Sequence, residues 1–155
     1  MGEEKVKEEA MQIIGMFQVL PHLVVFDLDY TLWPFYCECR SKREMPSMYP
    51  HAKGILHALK DKGIDVAVAS RSPTPDIANT FLQKLSIDSI FVAKVSKMGV
   101  TSILVGKGVN LGALRQGLTK FSRNWSTSEK NKQKWQTKFC KKSNSSEGKS
   151  LFTKI

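Results

Sequence analysis

The sequence has no long apolar run, no secretory layout at its amino end and few cysteines. A membrane-spanning helix needs about 18 or more consecutive apolar residues, and because no stretch reaches that length we expect no membrane partner. Residues 1–6 (MGEEKV) are acidic and lack the basic-then-apolar order of a signal peptide. Three cysteines, an odd number, argue against a disulfide scaffold and indicate a reducing compartment. We therefore predict a cytoplasmic protein, and the length of 155 residues predicts one domain.

Positive charge is concentrated near the carboxyl end. The 24 Lys and Arg residues exceed the 14 Asp and Glu residues, which gives a formal net charge of +10. Ten of the basic residues but only two of the acidic ones lie in residues 119–155. From Ser122 onward polar residues dominate, and such a segment buries too little apolar surface to offset its ordering entropy. We predict a basic, disordered tail over 122–155. Because the rest of the chain is nearly neutral we expect no nucleic-acid partner, although contact of the tail with nucleic acid or anionic lipid stays open.

Short apolar runs alternate along the chain with stretches of helical periodicity. The runs end in polar residues or glycine, as strands buried on both faces of a sheet do. The predicted strands are 23–26, 66–69 and 102–105, and the predicted helices are 4–18, 51–62, 75–85 and 110–121. The alternation predicts an α/β fold with a parallel sheet and flanking helices. We divide the chain into an amino-terminal helix (1–20), an α/β domain (21–121) and the tail (122–155).

Polar groups follow two of the predicted strands directly. Asp27 and Asp29 follow the first strand, with the Leu28 amide between them. Ser70 and Arg71 follow the second strand, and a hydroxyl and a guanidinium suit phosphate oxygens. In parallel α/β sheets reactive groups lie just past the carboxyl ends of the strands, so these side chains should meet. Carboxylates repel phosphate, so a hard divalent cation must lie between them, and oxygen ligands with retained waters are typical of Mg²⁺.

The residues around the first two aspartates carry a resemblance to a known family. The run 26–35 (FDLDYTLWPF) resembles the first motif of the eukaryotic magnesium-dependent phosphatases of the haloacid dehalogenase superfamily, and residues 69–71 (ASR) resemble the second. Residues 96–118 resemble the end of the family's last crossover and its final strand. The short 37–49 connection is similar to plant-type members, in which little or no cap covers the site. The resemblance implies a Rossmann-like fold of the haloacid dehalogenase type over roughly residues 20–120.

The resemblance also implies a two-step phosphoryl transfer. Asp27 would attack phosphorus and form an aspartyl-phosphate, and Asp29 would act as general acid and then as general base. The Asp27 carboxylate and the Asp29 backbone carbonyl would bind Mg²⁺. Ser70 and the Leu28 amide would hold phosphate oxygens, and Arg71 would touch the substrate. The implied substrates are phosphotyrosine-type and sugar phosphomonoesters, and the expected oligomeric state is a monomer.

Two further motifs of the family have no match in this sequence. One is a lysine that pairs with the nucleophile and the phosphate, and the other is an acidic pair that completes the metal site. Lys94 and Lys97 lie in the right region but do not fit the lysine motif. We therefore expect a sheet shortened by one strand, as if an internal segment were absent. The alternative function is a catalytically impaired splice-type variant that acts only by binding.

The spacing of the apolar runs near the missing segment is also unusual. If Ile90–Ala93 is a strand, seven residues separate it from Thr101, whereas a parallel crossover needs about a dozen or more. The two runs therefore cannot be sequential neighbours in a parallel sheet. The alternative that we favour is a helix over 87–98 that leads into a strand at 101–105. That strand would then either lie beside the first strand or leave the first strand with an open edge.

The remaining candidates for chemistry are weak. Cys37 and Cys39 flank Glu38, but without a matching histidine or second cysteine pair we interpret them as structural or incidental. Thr31 is expected to hydrogen-bond the loop after the first strand rather than react.

Overall fold

A computed structural model describes residues 2–70, 72–95, 101–102, 108–138 and 152–154. The chain alternates strands and helices over most of this length. In chain order the elements are α1 (Glu3–Gly15), β1 (Leu23–Phe26), α2 (Ala52–Asp61), β2 (Asp65–Ala69), α3 (Pro75–Lys84), β3 (Phe91–Val95), β4 (Thr101–Ser102), α4 (Leu111–Lys138) and β5 (Phe152–Lys154). Two single-turn 3-10 helices, Cys37–Cys39 and Asp88–Ile90, lie in the connections.

The strands form one parallel sheet in the order β3-β2-β1-β5-β4. β1 pairs with β2 from Leu23 opposite Asp65 to Phe26 opposite Val68. Val24–Phe26 of β1 and Val66–Ala69 of β2 are continuous apolar runs with buried side chains, and Asp65 at the start of β2 is exposed. Such runs are typical of a parallel sheet that is covered on both faces. The predicted α/β class, with a parallel sheet and flanking helices, is confirmed. None of the helices in the described part of the chain has both the length and the apolar character needed to cross a bilayer.

The segment after α3 is a strand, so the helix predicted over 87–98 is wrong for residues 87–95, and residues 96–98 lie outside the described residues. A 3-10 turn at Asp88–Ile90 leads into β3, which pairs in parallel with β2 at the edge of the sheet. The helical spacing of Ile87, Ile90 and Phe91 is explained by burial of the turn, because Ile87 and Ile90 are buried and Phe91 packs on the core. Backbone pairing with an exposed sheet edge outweighs a short helical pattern here.

The position beside β1 also differs from both predicted outcomes. β5 pairs with β1, from Leu23 opposite Phe152 to Val25 opposite Lys154, and β4 pairs with the outer edge of β5. The strand near residue 101 is therefore not the neighbour of β1, and the edge of β1 is not open. Of the predicted strand 102–105, Ser102 belongs to β4, and residues 103–107 lie outside the described residues.

The last helix extends far beyond its predicted end at residue 121. α4 continues to Lys138, so residues 122–138 of the predicted disordered tail are helical in the structure. No glycine or proline interrupts the chain between Leu118 and Lys138, and Lys, Gln and Glu are good helix formers. The division of the chain at residues 20 and 121 stays a prediction.

The amino-terminal helix belongs to the core of the fold. Val6, Ala10 and Ile14 on α1 are fully buried, and α1 packs on α2. The two helices approach closely at Gly54, where an added Cβ would lie 2.9 Å from both the Lys7 backbone nitrogen and Val6 Cγ1. Only a residue without a side chain allows this approach.

The carboxyl ends of β1 and β2 are covered by little structure. Between β1 and α2, residues 27–51 form loops and the single turn Cys37–Cys39, with no other helix or strand among them. In the part of the chain that the structure describes, this connection therefore places no cap domain over the end of the sheet that carries the predicted site residues.

Candidate active site

A cleft of about 390 Å³ lies at the carboxyl ends of β1 and β2. It contains three of the residues that the sequence singles out, Asp27, Asp29 and Ser70. The described residues that line it are Asp27, Asp29, Tyr30, Tyr36, Glu38, Ser70, Ser72 and Pro73. Arg71 lies outside the described residues, so its predicted contact with substrate stays a prediction.

A tight loop after β1 holds the two aspartates at the cleft. The Leu28 carbonyl accepts hydrogen bonds from the backbone N–H groups of Thr31 (3.0 Å), Leu32 (2.9 Å) and Trp33 (3.4 Å). Leu28 is buried in the core, whereas Asp27 and Asp29 on either side of it are half-buried. The alternation of side chains along an extended segment thus sends both carboxylates away from the core and into the cleft.

The amide of Leu28 is bonded to the predicted nucleophile. Its N–H donates to Asp27 Oδ1 at 2.8 Å. This contact orients the Asp27 carboxylate. A phosphate oxygen that uses the same amide would share or displace this bond, so the predicted role of Leu28 in phosphate binding stays a prediction.

Asp29 is held by two donors on one oxygen. Asp29 Oδ1 accepts a hydrogen bond from Trp33 Nε1–H at 2.8 Å and another from the Cys37 backbone N–H at 3.2 Å. Both donor residues are buried. The Asp29 carboxylate is therefore held in place by hydrogen bonds from two buried residues behind the cleft.

The Cys37 thiol also lies against this carboxylate. Burial raises the pKa of Cys37 to about 12, and the charge of Asp29 and a hydrogen bond to it add to the rise. A thiol with such a pKa is protonated near neutral pH and is neither a nucleophile nor a metal ligand. Cys37 therefore acts here as packing and as a hydrogen-bonding neighbour of Asp29.

Ser70 is positioned by a chain of hydroxyl contacts that leads into α3. Ser70 Oγ accepts the backbone N–H of Ser72 at 3.1 Å. Ser72 Oγ in turn accepts the backbone N–H of Thr74 at 3.2 Å and contacts Thr74 Oγ1 at 3.2 Å. Short side-chain contacts of this kind fold the loop between β2 and α3 tightly. They keep the Ser70 hydroxyl at the cleft.

Sequence reasoning assigned no role at the site to four polar or aromatic residues of the cleft. Tyr30 and Tyr36 are each about half exposed, and their rings meet edge to face with centroids 4.7 Å apart. Glu38 adds a third carboxylate and Ser72 a second serine. Tyr30 lies within the recognised motif and could have been suspected. Tyr36 and Glu38 depend on how the 35–40 loop folds back over the motif, which local patterns do not reveal.

The cleft is acidic in the part of the chain that the structure describes. Its described lining includes Asp27, Asp29 and Glu38 and no lysine or arginine. No group of three or more His, Cys, Asp or Glu residues suited to a metal ion is found among the described residues. Mg²⁺ usually keeps several waters and takes one or two carboxylates together with substrate phosphate. The oxygen donors of Asp27 and Asp29 therefore fit Mg²⁺ without a complete protein cage.

Comparison with known proteins places these features in a family. A model of the acid phosphatase family matches residues 19–47 and 40–96, which together make up half of the chain. The matched region includes β1, β2, β3 and every described residue that lines the cleft.

Similar proteins occur in humans and fungi. A Homo sapiens protein named magnesium-dependent phosphatase 1 is 29% identical over 156 residues, which cover 67% of this chain and 89% of that protein. A Saccharomyces cerevisiae protein named provisionally as a magnesium-dependent phosphatase is 31% identical over 127 residues, covering 63% of this chain and 66% of its own length. A haloacid dehalogenase-like hydrolase of Schizosaccharomyces pombe is 30% identical over 84 residues, covering 43% of this chain and 49% of its own length. The likeness to plant-type members stays a prediction. On the strength of the family match, this chain belongs to the acid phosphatase family.

Proposed function

We propose that the chain is a magnesium-dependent phosphomonoester hydrolase that works through Asp27. The observation that carries this proposal is that Asp27, Asp29 and Ser70 line one open cleft at the carboxyl ends of β1 and β2. Membership of the acid phosphatase family and the names of the human and yeast relatives support it.

In the first step the Asp27 carboxylate attacks phosphorus. A bond forms between the carboxylate oxygen that does not accept the Leu28 N–H and phosphorus, while the bond from phosphorus to the ester oxygen breaks. Asp29 donates its proton to the leaving oxygen, which departs as an alcohol or phenol. The products of this step are the free alcohol and an aspartyl-phosphate on Asp27.

In the second step water releases the phosphate. Asp29, now a carboxylate, takes a proton from a water molecule that attacks phosphorus. The bond from phosphorus to the Asp27 oxygen breaks, inorganic phosphate leaves, and both carboxyl groups return to their starting protonation states. One residue serves as acid and then as base, which is why Asp29 must keep a fixed position beside Asp27.

The other groups of the cleft bind and orient the phosphate. The Asp27 carboxylate and the Asp29 backbone carbonyl would hold Mg²⁺. That ion supplies the positive charge that offsets repulsion between carboxylates and phosphate. The Ser70 hydroxyl and the Leu28 N–H would hold phosphate oxygens, and Arg71 would contact the substrate.

We assign phosphotyrosine-type and sugar phosphomonoesters as the substrate classes. Among the described residues only loops and one 3-10 turn cover the cleft, so we expect it to admit a large leaving group. The exposed rings of Tyr30 and Tyr36 on its lining provide an apolar flank for an aryl group or a sugar face.

The test is hydrolysis of para-nitrophenyl phosphate with and without Mg²⁺. We expect turnover that needs Mg²⁺ and that Asp27→Asn abolishes. Asp65→Asn is the matched control, because Asp65 is an exposed aspartate at the opposite end of β2 from Ser70. It should leave the rate unchanged. Equal rates for wild type and Asp27→Asn would overturn the proposal.

A second candidate function is a catalytically impaired member of the family that acts by binding. The described lining of the cleft contains no cationic side chain to stabilise the charge on the phosphate. The alignment with the human relative runs over 156 positions but includes only 67% of this chain, so many positions of the relative have no counterpart here. Formation of a beryllofluoride adduct on Asp27 with Mg²⁺ would favour the enzyme. Binding of a phosphoester without adduct or turnover would favour the impaired variant.

A further inference from the structure

We propose that Trp33 is a positioning residue for the general acid–base Asp29, and that it acts together with the backbone N–H of Cys37. Both N–H donors bind Oδ1 of the carboxylate, and the Cys37 thiol also hydrogen-bonds Asp29. We assign the transfer of the proton to and from the reacting oxygens to Oδ2. This inference rests on the proposed hydrolase function, and it assigns to the buried tryptophan a role beyond packing.

The hydrogen bonds of Asp29 place both donors on the same atom. Trp33 Nε1 lies 2.8 Å and the Cys37 backbone nitrogen 3.2 Å from Asp29 Oδ1. Hydrogen bonds to a carboxylate are stronger than bonds between neutral groups. An oxygen that accepts two N–H groups is a poor place for a proton, because an N–H donor needs a lone pair. The proton of the acid form is therefore directed to Oδ2.

The indole is held rigidly, so it can set the direction of the carboxylate. Trp33 is fully buried. Its ring stacks on Phe35 with centroids 5.5 Å apart and meets the edge of Phe81 at 6.0 Å. Its backbone forms a bridge with that of Asp29. The donor nitrogen thus has a fixed place relative to the residue that it holds.

The geometry of proton transfer makes this direction important. A general acid must come within about 2.6–3.2 Å of the atom that it protonates. If the carboxylate turned about its χ2 angle, Oδ2 would leave the cleft and the leaving oxygen would depart unprotonated. An alkoxide leaves slowly without a proton, whereas para-nitrophenolate is stable enough to leave without one. The loss of positioning should therefore depend on the leaving group.

The test compares two substrates in the full chain with Mg²⁺. Trp33→Phe removes the N–H and keeps an aromatic ring in the same pocket. We compare kcat/KM, because it reports the first step alone, whereas kcat also contains the release of phosphate from Asp27, which is common to both esters. We expect kcat/KM for glycerol phosphate to fall about tenfold or more, and kcat/KM for para-nitrophenyl phosphate to stay within about threefold of wild type.

Phe81→Leu is the control for packing. Phe81 touches the same ring but makes no hydrogen bond to Asp29. This variant should lower stability and change both rates by a common factor. If Trp33→Phe also changes both rates by a common factor, Trp33 is only structural and the inference is overturned.

A measurement without turnover tests the contact itself. Trp33→Phe identifies the Trp33 indole N–H signal in a nitrogen–proton NMR spectrum, since that one of the three tryptophan signals is lost. Asp29→Asn should shift this signal upfield, because the charged acceptor is replaced by a neutral one. An unmoved signal overturns the inference. If the wild type hydrolyses neither ester, the proposed hydrolase function is overturned. The catalytic role of the contact between Trp33 and Asp29 is then overturned as well, whatever the NMR result.

Discussion

The Val109 backbone N–H donates to the carbonyl of Thr31 at 2.8 Å. This bond ties the segment before α4 to the loop that holds Asp27 and Asp29. Next to it, Gly108 packs on the ring of Tyr49, and the Tyr49 backbone N–H donates to the Leu32 carbonyl at 2.9 Å. The loop that carries Asp27 and Asp29, the proposed catalytic residues, is thus braced by two segments distant in sequence.

Gly108→Ala should destabilise the fold and disturb this brace. Gly108 has a φ of +75°, and an added Cβ would overlap the Tyr49 ring. Overpacking costs about 1–3 kcal/mol, and the left-handed backbone adds about 1–2 kcal/mol for a residue with a Cβ. Chemical denaturation should show a free energy of unfolding that is lower by an amount within the sum of these two ranges.

Gly63→Ala separates the two costs of that substitution. Gly63 has nearly the same φ, +74°, but no atom lies within 4 Å of an added Cβ. Gly63→Ala should lower the free energy of unfolding only by the cost of the left-handed backbone, about 1–2 kcal/mol. Equal losses for Gly63→Ala and Gly108→Ala would contradict the close contact with Tyr49.

Gly54→Ala tests the approach of α1 to α2. Alanine is the better helix former by about 1 kcal/mol, but the Cβ would press against the backbone of α1 at Lys7 and the side chain of Val6. Overpacking of about 1–3 kcal/mol should outweigh the gain in propensity. Thermal unfolding should therefore show a lower midpoint.

Gly15→Ala provides the comparison for Gly54→Ala. Gly15 also lies in a helix, yet its Cβ would meet only the flexible end of Lys62 at 3.8 Å. It should be neutral or slightly stabilising. A stabilised Gly54→Ala variant would show that the helices do not pack as closely as described.

The two cysteines of the 3-10 turn should differ in reactivity. Burial and the Asp29 carboxylate hold the pKa of Cys37 at about 12, whereas Cys39 is exposed. Because the thiolate is the reactive form, little Cys37 can react at pH 8. Peptide mapping after a short iodoacetamide treatment of the native chain should find Cys39 modified and Cys37 intact, with both modified after unfolding. Modification of Cys37 before that of Cys39 in the folded chain would contradict the burial of Cys37 beside Asp29.

The placement of the main site residues could be predicted because it follows from local rules. Asp27, Asp29 and Ser70 each come directly after a buried apolar strand, and neighbouring parallel strands end at the same edge of the sheet. The strand at 91–95 was missed because its apolar residues also fit helical spacing, and only the free edge of β2 decides between the two. β5 was missed because Phe152–Lys154 is short and lies in a polar segment.

The hydrogen bonds from Trp33 and Cys37 to Asp29 could not be predicted from the sequence, and the reason is a different one. Trp33 and Cys37 stand four and eight residues from Asp29, and nothing in their spacing indicates that both donate to one carboxylate oxygen. That contact depends on how the 28–40 loop closes on itself over the core. Tyr36 and Glu38 reach the cleft through the same closure.

The most direct test of the account is the search for a phosphorylated Asp27. The chain would be incubated with para-nitrophenyl phosphate, whose leaving group needs no proton, and with Mg²⁺. It would then be quenched in acid and its peptides fragmented by mass spectrometry, since Asp27 and Asp29 lie too close to be separated by digestion. We predict one phosphoryl group on Asp27 in the wild type and in Asp29→Asn, and none in Asp27→Asn. Hydrolysis that proceeds without any adduct, or with the adduct on another residue, would contradict the account.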